Sequence, residues 1–203
     1  MNQIDLAAAR SPRAEATRAA IVVTAERLFR GFGYQKTTVA DIARELRMSP
    51  ANIYRFFPSK AAINEVICGR VVDELEALAW AEARRAAPAE DRIRALFAAM
   101  QQRVQTLCFD DRRMHDMVSA AMAEDWPSIE QFIHRVDDAI SEIIADGQRE
   151  GVFAPLDAVQ TGRLVHACMI CFAHPTVVEQ CMDDDLPALA AGMAEFVLRA
   201  LRA

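Results

Sequence analysis

Two short stretches of this 203-residue chain carry the side chains best suited to chemistry. The first runs from Thr38 to Lys60. On a helix opening at Ser49 and Pro50, Ala51 and Arg55 share one face, with Asn52 and Tyr54 on its flanks. Arginine can fork to guanine O6 and N7, asparagine can pair with adenine N6 and N7, and Ala51 can pack on a thymine methyl. Tyr54, Thr38 and Lys60 are of the types that contact phosphate, which positions a protein without reading sequence. The chemistry on offer is recognition of a nucleic-acid duplex through its major groove.

The second stretch is His166-Ala-Cys168-Met-Ile-Cys171-Phe-Ala-His174. Cys and His at short spacings could hold zinc or form a redox pair. On a continuous helix Cys168 and Cys171 are neighbours, but His166 lies about 160° round from Cys168. The four converge only if the helix breaks at Pro175 or a second subunit contributes. Apolar packing accounts for the cysteines more simply, since Cys is among the most commonly buried residues. There is no Gly-rich phosphate loop, no Gly-x-Ser-x-Gly and no His-Glu-x-x-His, so neither an enzyme nor a cofactor is expected. Asp183-Asp-Asp185 reads as an acidic loop and helix cap.

The elements that must carry these residues are helices. Seven Gly, eight Pro, two Tyr, abundant Ala and no alternating β-branched runs point to an all-α protein of about nine helices. Ile21, Ala25, Leu28, Phe29 and Phe32 trace one helical face, which Gly31 and Gly33 stop. Thr38 and Asp41 form a capping-box pattern at the next helix, whose buried stripe is Val39, Ile42, Ala43 and Leu46. After a turn at Arg47-Met48, Ser49 is an N-cap and Pro50 takes the first helical position. The third helix is predicted over 50–57, with Ile53, Phe56 and Phe57 inward. Helix, tight turn and helix with a polar outer face make a helix-turn-helix unit.

Charge follows the same division. Residues 1–64 hold ten Lys and Arg against five Asp and Glu, a net of +5, so the rest of the chain carries −11 of the total of −6. A basic head on an acidic body fits an anionic partner at one end. Five Cys is an odd number for a disulfide scaffold. The longest apolar run, Ala167–Ala173, is seven residues, far short of the roughly 20 needed to span a membrane. Met1–Pro12 lacks the apolar core of a secretory signal, so a cytoplasmic location is expected.

Residues Thr37 to Ile63, TTVADIARELRMSPANIYRFFPSKAAI, resemble the DNA-binding signature of the TetR family of transcriptional regulators, and AERLFRGFGYQKTT from Ala25 extends the match. The Phe-x-x-x-Gly-Tyr turn, Thr-Thr cap, Asp-Ile-Ala core, Ser cap, Tyr-x-Phe-Phe helix and Ser-Lys start of the fourth helix occur in order. The resemblance implies that helix 3 enters the major groove, presenting Ser49, Pro50, Ala51, Asn52, Tyr54 and Arg55, and that Thr38 and Lys60 touch phosphate. One departure is Arg47, where the family usually has Gly. Either the turn differs slightly, or a positive φ is tolerated in return for a further phosphate contact. Arg10, Arg13 and Arg18 are assigned to an N-terminal arm. Such arms can reach the minor groove, though a plain tail accounts for them more simply.

The domains are drawn as 1–58, with 1–12 an arm, and 59–203. The body reads as helices over about 59–85, 90–107, 111–123, 127–150, 157–173 and 186–201. The resemblance implies that its last two long helices pair with those of a second subunit, giving a homodimer. Val165, Met169, Phe172, Leu189, Met193, Phe196 and Val197 are the candidates for that surface. It also implies a pocket for an unidentified small-molecule effector. Met100, Leu107, Phe109, Met114, Met117, Met122, Trp126 and Phe132 could line it, and core packing explains the same residues. The expected function is a ligand-released repressor binding double-stranded DNA at a palindromic operator. The alternative is a thiol- or metal-responsive sensor using Cys168 and Cys171.

Overall fold

Ser11 starts the first helix by accepting a hydrogen bond from the amide of Ala14, with Pro12 next in line. The computed structural model describes residues 11–110, 112–123, 127–180 and 185–202. Among them are eleven helices: α1 (Pro12–Phe32), α2 (Val39–Glu45), α3 (Pro50–Tyr54), α4 (Lys60–Ala83), α5 (Ala89–Asp110), α6 (Arg112–Ala123), α7 (Pro127–Arg149), α8 (Ala158–Ala167), α9 (Ile170–Ala173), α10 (Pro175–Gln180) and α11 (Leu186–Leu201). No strand occurs among the described residues.

The helix count exceeds nine for two reasons. The span 157–173 is interrupted at Cys168-Met169, giving α8 and α9, with no Gly or Pro to mark the break. Pro175 then forces His174 into an extended conformation and opens α10, which the periodicity did not mark. Asp157 and Asp185 cap α8 and α11. Two boundaries of the head also shift. Gly31 lies inside α1, and Gly33, at φ 96°, ends it alone. α3 ends at Tyr54 and not at Phe57, because Pro58 disfavours helical geometry at the residue before it.

α1, α2 and α3 close over the first turns of α4. Ile21, Phe29, Ile42, Ile53, Ile63 and Ile67 are fully buried together, and Phe29 meets Tyr34 edge to face with centroids 5.2 Å apart. The core continues along α4 into the body, where α5, α6 and α7 pack around it, α8 lies on α7, and α11 lies on α5. Arg92 is buried and ties the body together. It donates to the carbonyl of Ala83 at the end of α4 and pairs with Asp146 of α7 at 2.8 Å. No described helix is long and apolar enough to cross a membrane.

Candidate nucleic-acid interface and ligand cavity

The head is built around two caps and one strained turn. Thr38 and Asp41 form a complete capping box: the amide of Asp41 donates to the Thr38 hydroxyl at 3.2 Å, and the amide of Thr38 donates to the Asp41 carboxylate at 2.9 Å. The Thr38 hydroxyl also donates to that carboxylate at 2.6 Å. These bonds, the hydroxyl first, hold the Asp41 carboxyl below its ordinary value. Thr38 is exposed, and a phosphate approaching it competes with Asp41 for the hydroxyl proton.

The turn between α2 and α3 closes by two backbone bonds, Arg47 N–H to the Arg44 carbonyl at 3.1 Å and Met48 N–H to the Ala43 carbonyl at 2.8 Å. This is the Schellman pattern, which needs a left-handed residue after the cap. Arg47 supplies it at φ 54°, the one described non-glycine residue with a positive φ. The turn therefore keeps the ordinary geometry with a side chain where a Gly is usual.

Ser49 caps α3 by accepting from the amide of Asn52 at 3.2 Å, with Pro50 at its first position. Ser49, Pro50, Ala51, Tyr54 and Arg55 are exposed, Asn52 is half-buried, and Ile53 is wholly buried beneath them. Arg55 stands one residue past the helix but keeps helical dihedrals, so its side chain still leaves from the same surface. Lys60 is engaged within the head itself. Its ammonium donates to the carbonyls of Tyr34 at 2.9 Å and Thr37 at 3.2 Å and lies over the Tyr34 ring, pinning the loop that leads into α2. Arg13 and Arg18 belong to α1 and not to an arm, because Ser11 and Pro12 start the helix before them. Arg18 stacks on Phe57. Arg10 lies outside the described residues.

The body holds a cavity of about 520 Å³, within the usual range for small-molecule sites. Met100, Leu107 and Phe132 line it, as do Val71, Val72 and Leu75 of α4. Met114 and Met117 are buried in the surrounding core. The side chains of Phe109 and Met122, and Trp126 altogether, lie outside the described residues. Asn64 ties α4 to α6: fully buried, it donates to the Met117 carbonyl at 3.1 Å, next to cavity-lining Val118.

Sequence reasoning missed the polar end of the cavity. Asp137 accepts from His166 Nδ1 at 2.7 Å and faces Arg163 at 4.0 Å, and His134 and His174 line the same cavity. Burial keeps the pKa of His174 below its ordinary value of 6.5. α8 can approach α7 this closely because Gly162 has no side chain: a Cβ there would meet the Asp137 carbonyl at 3.0 Å and the Ser141 hydroxyl. Among the described residues no three His, Cys, Asp or Glu are placed to hold a metal ion. Within the cysteine motif, His166 turns to Asp137, and the thiol of Cys171 lies 3.6 Å from the Cys168 carbonyl.

Of the residues assigned to a subunit interface, Val165, Met169, Phe172 and Val197 are buried in the chain's own core, and Met169 borders the cavity. Leu189 and Phe196 are exposed and Met193 is half-buried. A cleft between α8 and α11 is bordered by Leu156, Leu164, Cys168 and Phe196, with Leu164 62% and Phe196 57% exposed.

A short helix-turn-helix head over a helical body with a cavity defines a DNA-binding protein of the regulatory class. Residues 21–67 match the model for bacterial regulatory proteins of the TetR family, and residues 89–192 match that for the tetracycline repressor-like C-terminal domain. The chain belongs to the TetR family and is a DNA-binding transcriptional regulator. The fold is shared with a TetR-family regulator from Pectobacterium atrosepticum, at 18% identity and TM-score 0.69 over 96% of this chain and 98% of the other. It is shared likewise with SmeT, the repressor of the Stenotrophomonas maltophilia multidrug efflux pump SmeDEF, at 18% identity and TM-score 0.67 over 92% and 90%. Thermus thermophilus FadR, a repressor solved with lauroyl-CoA, matches at 19% identity and TM-score 0.62 over 92% and 95%. Comparison with curated protein sequences gave no significant match.

Proposed function

We propose that the protein is a ligand-released repressor that binds a palindromic operator as a homodimer. One observation carries this reading: the cavity rests on α4, the helix whose first residue, Lys60, holds the loop ahead of α2. A ligand that fits the cavity in only one position of α4 shifts the heads, provided it binds the two states unequally. That two relatives of the same fold are named repressors supports the sign of regulation. The exposed apolar cleft of Leu156, Leu164 and Phe196 suits the same surface of a second copy, because a twofold interface is self-complementary. The domain division falls at the start of α4, with Ser49, Pro50, Ala51, Asn52, Tyr54 and Arg55 toward the bases and Thr38, Arg47 and Lys60 toward phosphate.

The test is selection of binders from a random duplex library. A palindromic winner with a steep salt dependence is expected. Arg55→Ala should cost about 1–3 kcal/mol on that site and relax preference at one base pair. Equal losses on selected and random DNA would remove Arg55 from base reading. Paired Leu164→Glu and Phe196→Glu changes should give a monomer by sedimentation. A dimer that persists would put the interface elsewhere.

A further inference from the structure

The polar groups of the cavity come from one set of elements. α4, α5 and α6 contribute only apolar lining, such as Leu75, Met100 and Val118, whereas the polar lining is His134 and Asp137 of α7, Arg163 and His166 of α8, and His174. Three of the chain's four histidines and one arginine thus line the cavity that holds one carboxylate, and two of these basic groups, His166 and Arg163, face it.

That carboxylate is already engaged. Asp137 is buried, accepts from His166 Nδ1 at 2.7 Å and faces Arg163. A cationic ligand would have to displace His166 from it. The capacity left over lies on the basic groups. Arg163 is 61% exposed and reaches Asp137 only at 4.0 Å, so most of its planar fork is uncommitted. The Nδ1 of His174 is buried with no hydrogen-bond partner among the described residues. His166 spends its Nδ1–H on Asp137, and its Nε2 can donate to a ligand only when the ring is an imidazolium. An arginine fork beside imidazoles matches a carboxylate, and the rest of the cavity matches an apolar tail.

We infer that the cavity takes an amphipathic organic acid, its carboxylate on Arg163 with His166 and His174 beside it and its apolar body against α4, α5 and α6. This inference rests on the cavity being the effector site proposed above.

Calorimetry on the full-length protein with decanoate, decanol and decyltrimethylammonium compares an anion, a neutral polar head and a cation on one tail. Decanoate should bind at least about tenfold more tightly than the other two. Arg163→Met keeps an apolar stem at an exposed position, and should abolish that preference by weakening decanoate at least about tenfold more than decanol. Thermal unfolding checks that the variant is folded. Equal or tighter binding of decanol or the ammonium, an equal loss of all three in Arg163→Met, or no binding of any would each overturn the assignment. Operator affinity measured with each probe separates the two readings. Decanoate that binds without releasing DNA supports the acid site and refutes ligand release; release by decanol or the ammonium alone does the reverse.

Discussion

The amide of Met48 donates to the carbonyl of Ala43 across 2.8 Å, and that bond forces the intervening Arg47 into the left-handed region. It joins the two helices of the DNA-binding unit at a fixed angle, so the strain at Arg47 is part of how α3 is aimed. A left-handed non-glycine residue costs about 1–2 kcal/mol. Glycine there gives back about 0.5–1 kcal/mol through its freer unfolded chain.

Arg47→Gly should therefore stabilise the protein by about 0.5–1 kcal/mol, seen as a rise in Tm of about 2–4 °C per kcal/mol. If the side chain contacts phosphate, the same variant lowers the salt slope of DNA binding by about one unit. A lower Tm would show that the Arg47 side chain makes a compensating contact within the fold.

Lys60→Ala should act on two readouts. Removing the ammonium leaves the Tyr34 and Thr37 carbonyls without a charged donor, at a cost of about 1–2 kcal/mol. DNA binding should weaken alike on selected and random duplexes, with a shallower salt slope. Lost stability with an unchanged slope would confine Lys60 to holding the loop.

Gly162→Ala places a methyl against the Asp137 carbonyl and Ser141. Pushing α8 from α7 should cost about 1–3 kcal/mol. It should also loosen the Asp137–His166 contact, so that ligand affinity falls together with Tm. An unchanged Tm would mean that the two helices separate freely.

His174 gives a pH dependence of defined sign. Its pKa in the folded chain lies below the ordinary 6.5, so near and just below that pH the unfolded chain binds the extra proton. Stability is unaffected well above pH 6.5 and falls as the pH drops through it. His174→Gln should flatten this part of the stability profile measured by denaturant unfolding. An equally steep profile would shift the effect to another group.

What the sequence disclosed follows the range of the forces involved. Thr38, Asp41, Ser49 and Pro50 make contacts within three residues of themselves, and their caps were legible as spacing. The inward stripes of α1 and α2 were legible for the same reason, although Phe32 at the end of α1 is exposed. The polar end of the cavity was not, because Asp137 and His166 are 29 residues apart and meet only where Gly162 lets two helices close. The bonds of Lys60 to the Tyr34 and Thr37 carbonyls were not legible either, because those residues lie 26 and 23 positions earlier. The break at Cys168-Met169 carries no local mark at all.

α4, 24 residues and so roughly 36 Å long, runs from the basic head into the acidic body. The molecule is thus an electric dipole held apart by a rigid rod. Near a polyanion it experiences a torque as well as a pull: the head is drawn in and the body is pushed outward. That torque should favour encounters in which α3 faces the duplex. Added salt should slow productive encounters by removing that alignment, over and above its effect on the final contacts.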